Sequence, residues 1–123
     1  MSCFVASLSA AEEVPATAST ATGSGVFVYD PSSRQISYQV QHTVVGAIDG
    51  HIHQGPAGTN GSVIVPFVLA GQGTSGSAVL TDDEAADLLA GNLYADVHSL
   101  AFPAGEIRGQ LVRPGTGALT SGW

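Results

Sequence analysis

The sequence contains no lysine and only three arginines against ten acidic residues, giving a formal net charge of −7. A nucleic-acid or anionic-membrane partner calls for a basic surface, so this composition argues against both. The one cysteine, Cys3, excludes an internal disulfide framework and the cysteine-rich zinc motifs. No apolar run approaches the length of a membrane span, so no membrane insertion is expected. Met1-Ser2-Cys3 leads straight into strand-like text, without a charged n-region or an apolar h-region. The chain is therefore expected to be soluble and to carry no address of its own; an exported protein whose leader has been removed reads the same way. Also missing are a Ser-His-Asp order, a phosphate-cradling glycine loop and a nucleotide fingerprint.

What is abundant is punctuation. Sixteen glycines and six prolines in 123 residues, with many Ser, Thr and Val residues, predict short strands separated by frequent turns within one domain. Residues 3–9 place Phe4, Ala6 and Leu8 on one face of a first strand, and 10–22 read as a long connection. Gly25–Tyr29 and Ile36–Val40 form a hairpin about the turn at Asp30-Pro31-Ser32-Ser33. Val44–His53 is a fourth strand region, with Gly46 and Gly50 as sites of bulging or close backbone approach. Val63–Leu69 follows, and Pro66 within it points to an edge or a bulge. A loop over 71–76 leads to a short strand at Ser77–Leu80.

Thr81 and Glu84 stand at capping-box spacing before Ala85, Leu88 and Leu89, and Gly91 suits a left-handed helix end. This is the one helix signal. Strands at Leu93–His98 and Glu106–Val112 complete an all-β chain: an antiparallel Greek-key β-sandwich or flattened barrel of about eight strands with one short helix. The domain is expected to span 1–113, followed by a flexible Gly/Ser/Thr-rich tail at 114–123.

His51 and His53 carry the clearest chemical signal. Alternation in an extended strand turns both imidazoles to one face and Ile52 to the other, so both can reach a single metal ion. His98 lies on the same strand face as Tyr94 and Asp96, opposite Leu93, Ala95 and Val97. If the two strands meet, three nitrogen ligands converge, with Tyr94 or Asp96 available to orient them. The competing account is a polar strand face turned to water. His42 shares parity with Ile36, Tyr38 and Val40, so it either adds a ligand or simply ends its strand. Glu106 and Arg108, two residues apart, read first as a structural ion pair; Arg108 near a metal could also attract an anion. Asn60-Gly61-Ser62 matches a glycosylation sequon. Imidazole ligands suit both copper and zinc, with affinity rising toward Cu(II). Binding needs neutral rings, so it is expected to weaken below a pH near about 6.5.

Four segments resemble the chordin-type (CHRD) domain: Leu8-Ser-Ala-Ala-Glu-Glu-Val-Pro15, His51-Ile-His-Gln-Gly-Pro-Ala-Gly58, Leu88-Leu-Ala-Gly-Asn-Leu-Tyr94, and Val97-His98 through Phe102-Pro-Ala-Gly-Glu-Ile-Arg-Gly-Gln-Leu111. They occur in family order from residue 4 to about 112. The resemblance implies an all-β module of periplasmic or extracellular location. That family is in turn distantly similar to Cu/Zn superoxide dismutase, whose copper is bound by a His-x-His pair and a late histidine; His51, His53 and His98 hold comparable motif positions. The dismutase's internal disulfide and a second, zinc-binding cluster have no counterpart here. The resemblance thus implies a copper site, with zinc as the alternative, serving metal binding, storage or redox. A protein-interaction module without functional metal and a dismutase-like copper enzyme are the rivals. Protein partners and homo-oligomerisation stay open.

Overall fold

The computed structural model describes residues 1–115; of the tail expected at 114–123, only Pro114 and Gly115 fall within the described residues. Eight strands follow one another: β1 (Ser2–Ser9), β2 (Thr22–Asp30), β3 (Gln35–His42), β4 (Ala47–Gln54), β5 (Ser62–Pro66), β6 (Gly73–Val79), β7 (Leu93–Ser99) and β8 (Ile107–Gln110). A short 3-10 turn at Ala10–Glu12 follows β1, and the helix α1 (Asp82–Ala90) joins β6 to β7. All ladders are antiparallel and form one sheet in the order β5-β4-β7-β8-β1-β2-β3-β6, curled into a nearly closed barrel. Chain-successive strands β3 and β4 lie far apart in that order, and β7 returns beside β4. These are the long crossovers of Greek-key connectivity.

Alternation explains the interior. Phe4, Ala6 and Leu8 of β1, Phe27 and Tyr29 of β2, and Ile36 and Val40 of β3 all turn inward against Ile52, Ala95, Val97 and Ile107. The turn between β2 and β3 closes as its sequence suggests, with Asp30 Oδ1 accepting from the Ser32 amide at 2.9 Å and the Ser32 hydroxyl at 2.7 Å. Pro66 ends β5, which is an edge strand, where a missing amide costs no ladder bond.

Strand β6 begins at Gly73 rather than Ser77, so most of the expected loop is paired. Its Gly- and Ser-rich sequence lacks an apolar alternation because Tyr38 of β3 covers it. A Cβ at Gly76 would stand 2.6 Å from the Tyr38 hydroxyl oxygen, so only glycine lets the phenol lie across the strand. Strand β4 likewise starts three residues later than expected, at Ala47, because Gly46 takes a positive φ of 70° and turns the chain into the ladder.

The helix is capped on both sides. The Glu84 amide donates to Thr81 Oγ1 at 3.1 Å, the Thr81 amide donates to Glu84 Oε1 at 2.9 Å, and Gly91 is left-handed at φ 83°. Its apolar face, Ala85 and Leu88, is buried in the core. Thr81→Ala removes one arm of the capping box and should lower stability by about 1 kcal/mol. Urea unfolding followed by circular dichroism should show the midpoint fall with an unchanged slope.

Candidate metal centre

Strands β4 and β7 pair along most of their lengths, with His51 opposite Asp96, His53 opposite Tyr94 and Asp49 opposite His98. Direct and diagonal cross-strand neighbours lie within side-chain reach. The register therefore gathers His51, His53, Asp96 and His98 on one face. Each offers one ligand atom, and these atoms all lie within 4.8 Å of one another. The imidazole centroids stand 5.2 Å apart for His51 and His53, and 5.1 Å for His51 and His98. This face is not solvated: Tyr94 and Asp96 are buried, and the side chain of His98 retains 13% exposure. The account in which these polar residues face water is thereby set aside.

The ring nitrogens divide their work. His53 Nδ1 lies 3.1 Å from the Gly61 carbonyl, and His98 Nδ1 lies 2.9 Å from the Pro103 carbonyl. A carbonyl only accepts, so each Nδ1 carries its proton outward. The inward nitrogens then converge on one carboxylate. His53 Nε2 is 2.9 Å from Asp96 Oδ1, and His98 Nε2 is 2.8 Å from Asp96 Oδ2, the latter an ion-pair contact off the line of a hydrogen bond. A lone pair facing a carboxylate is repulsive unless a proton or a metal cation lies between them. His51 adds a third inward nitrogen: its Nδ1 is sealed, makes no hydrogen bond and stands 3.7 Å from Asp96 Oδ1. Three nitrogens and a carboxylate, two rings fixed from behind by backbone carbonyls, fit a borderline divalent ion such as copper or zinc.

Protonation follows the same geometry. The close contact with the Asp96 carboxylate leads in raising His98 to about 9, against burial and helped by the Pro103 carbonyl and the charges of Asp96 and Asp49. Burial pushes His51 down, outweighing the pull of Asp96 and Asp49. Burial alone would raise Asp96, but the hydrogen bond from His53 and the close contact and charge of His98 hold its carboxyl below the ordinary range.

Behind His53 the site is braced by stacking. The Tyr94 ring lies parallel to His53, centroids 4.7 Å apart, and the Arg108 guanidinium covers the other face of Tyr94 at 3.4 Å. Arg108 is 1% exposed. It donates to the carbonyls of Pro56 at 3.0 Å and Thr59 at 2.8 Å, and to Asn60 Oδ1 at 3.3 Å, clasping the 56–60 loop. The expected Glu106–Arg108 ion pair is not formed. Glu106 instead accepts from the Ser99 hydroxyl at 2.6 Å and the Ser19 hydroxyl at 2.7 Å. Each charge is satisfied by nearer neutral groups. Asn60 Nδ2 also donates to the Val14 carbonyl at 2.8 Å, so the sequon asparagine has a structural task.

His42 does not join the group. It is buried at the end of β3, where its Nδ1 accepts from the Val44 amide at 3.1 Å, and burial lowers its pKa. Glu13 escaped sequence reasoning altogether. It lies in the aperiodic connection after β1, yet the fold buries it within the electrostatic reach of Asp96, His98, Arg108 and His53. Only its place in the Glu-Glu-Val-Pro segment of the family motif could have marked it.

The CHRD domain family model matches residues 4–111, and the chain belongs to that family, an extracellular-type β domain. No curated protein and no solved structure gives a significant match. The likeness to Cu/Zn superoxide dismutase therefore rests on the histidine motif alone. Among the described residues, no helix is long and apolar enough to cross a membrane.

In the metal-free protein the His98–Asp96 pair stabilises the fold through two shifted groups. The raised His98 contributes fully below pH 6.5, and that contribution is lost as pH rises through about 9. The lowered Asp96 contributes above pH 3.8 and is lost on acidification. Urea unfolding across pH 4–10 in the presence of chelator should show stability falling between neutrality and pH 9. Asp96→Asn should flatten that fall; an unchanged profile in the variant would discount the pair.

Proposed function

We propose that this CHRD domain binds a transition-metal ion through His51, His53 and His98, with copper the preferred metal and zinc the alternative. Its role would be metal binding, storage or redox in the periplasm or outside the cell. The observation that carries this reading is the convergence of three inward nitrogens on the single buried Asp96 carboxylate, two of them on rings whose other nitrogen is spent on a backbone carbonyl. Asp96 serves as a fourth ligand or as the orienting acceptor for the rings. Tyr94 and Arg108 hold His53 in place, and Arg108, with its guanidinium committed to the 56–60 loop, does so as a brace rather than as an anion receptor. A bound copper would supply one-electron chemistry, while zinc would supply Lewis acidity.

A second reading, contact with another protein, is favoured by one feature. Val45, Ile48 and Leu100 are exposed side chains on neighbouring segments, tied together by the Leu100 amide donating to the Gly46 carbonyl at 3.3 Å. They flank Asp49 and His98 in sequence, so such a partner would dock beside the metal centre.

Cu(II) titration followed by electron paramagnetic resonance tests the first reading. Wild type should give one stoichiometric nitrogen-rich signal, and His51→Ala/His53→Ala should abolish it. Because His98 holds its proton to about pH 9, apparent affinity should keep rising past the ordinary histidine range, by about tenfold per pH unit for each proton displaced. Affinity unchanged down to pH 4 would exclude histidine ligation. Metal-loaded protein freed of loose copper, assayed with superoxide, separates a redox enzyme from a binding protein.

A further inference from the structure

Glu13 is an unusual residue to bury. It follows the 3-10 turn after β1, retains 7% exposure, and its Oε2 is sealed from solvent without a hydrogen-bond partner. Among the described residues no ion pair includes it. An ionised carboxylate in that position would leave this oxygen without water or a hydrogen-bond donor, a costly state that proteins avoid by neutralising the group or bringing a cation close. The packing that seals it is specific. Gly105, at φ 124°, presses its backbone against the carboxyl group, and a Cβ there would stand 2.7 Å from both oxygens. Gly105 belongs to the same 101–105 loop whose Pro103 carbonyl accepts from His98 Nδ1. Glu13 thus stands in the wall between the metal centre and an open cleft of about 360 Å³, lined by Val14, Pro15, Phe102 and Pro103 among others.

We propose that Glu13 is the charge-compensating residue of the metal centre, protonated while the centre holds no cation and ionised when a divalent ion binds. The inference rests on the metal-binding reading above and extends it to the site's proton balance and affinity. The charged groups within electrostatic reach of Glu13 are Asp96 and His98 of β7, His53 of β4 and Arg108 of β8. Burial is the main force raising its pKa to about 7; Asp96 adds to it, and His98, Arg108 and His53 oppose it. A divalent ion brings two positive charges and displaces the His98 proton, a net gain of one positive charge at the centre, which tips Glu13 to its carboxylate. Charge balances simply: one metal ion enters, and the Glu13 proton leaves to water through the cleft, in addition to those displaced from the ligating rings. Below neutrality the released proton makes affinity steeper in pH than the histidines alone would. Glutamine at this position keeps the shape and removes the proton.

Calorimetric titration of Zn(II) into wild type and Glu13→Gln, in buffers of differing ionisation enthalpy, counts the protons released per ion. At pH 6 the variant should release about one proton fewer than wild type, and the gap should close by pH 8.5, where Glu13 is ionised beforehand. Equal counts at pH 6, with zinc bound by both proteins, overturn the proposal and leave the metal-binding reading standing. Absence of zinc and copper binding in wild type would overturn both. Carboxyl carbon NMR of the metal-free wild type provides a check that needs no variant. A Glu13 signal already ionised at pH 6 refutes the proposal whatever the calorimetry shows.

Discussion

A single carboxylate, that of Asp96, organises the functional half of this molecule. It is buried at 3% exposure on an inner strand of the sheet, and the charge it carries must be answered locally. His53 and His98 answer it from two sides, and His51 stands directly across the ladder with an uncommitted nitrogen. A lone carboxylate there would be intolerable, and three imidazoles without it would lose their common focus. The remainder of the site can be read as support for this arrangement. Backbone carbonyls hold the outward nitrogens, Tyr94 and Arg108 stack behind His53, and the clasped 56–60 loop brings the Gly61 carbonyl within reach.

Positioning of this kind is a task for a sheet. Ligands from β4 and β7 are set by ladder register, so their spacing depends on strand pairing rather than on a loop. Where the β4–β5 register shifts between Ile52 and His53 the extra residue is Ile64 of the edge strand β5, so β4 keeps its regular alternation against β7 from Gly50 to Gln54. The two loops that touch the site, 56–61 and 101–105, contribute carbonyl oxygens and cover. Ligation is left to the strands.

Much of this could be seen in the alternation of the sequence. His51, His53 and His98 were recognisable because a period of two assigns faces, and the same parity placed Tyr94 and Asp96 beside them. The helix was equally visible, since Thr81, Glu84 and Gly91 report local geometry directly. Legibility ended where contacts depend on the tertiary path. Arg108 and Glu106 share a parity and carry opposite charges, yet hydroxyls from residues 19 and 99 and carbonyls from the 56–59 loop reach them first. Glu13 has no periodic neighbours at all; its environment is assembled by strands far along the chain. Strand β6 was half hidden because its partner Tyr38 supplies the bulk that Gly76 lacks.

The barrel's unclosed seam carries a consequence of its own. Strands β5 and β6 end the sheet order without a ladder between them, and the chain passes from one to the other through residues 67–72. Amide groups along such an edge rely on fewer cooperative bonds than those inside the sheet, so transient opening by subglobal fluctuation begins there. One strand inward lies β4, the bearer of His51 and His53. Breathing of the seam therefore frees β5, and with it the adjoining Gly61 carbonyl that holds His53 Nδ1, while the β4–β7 ladder stays intact. Solvent gains intermittent access to the centre without unfolding the frame that shapes it.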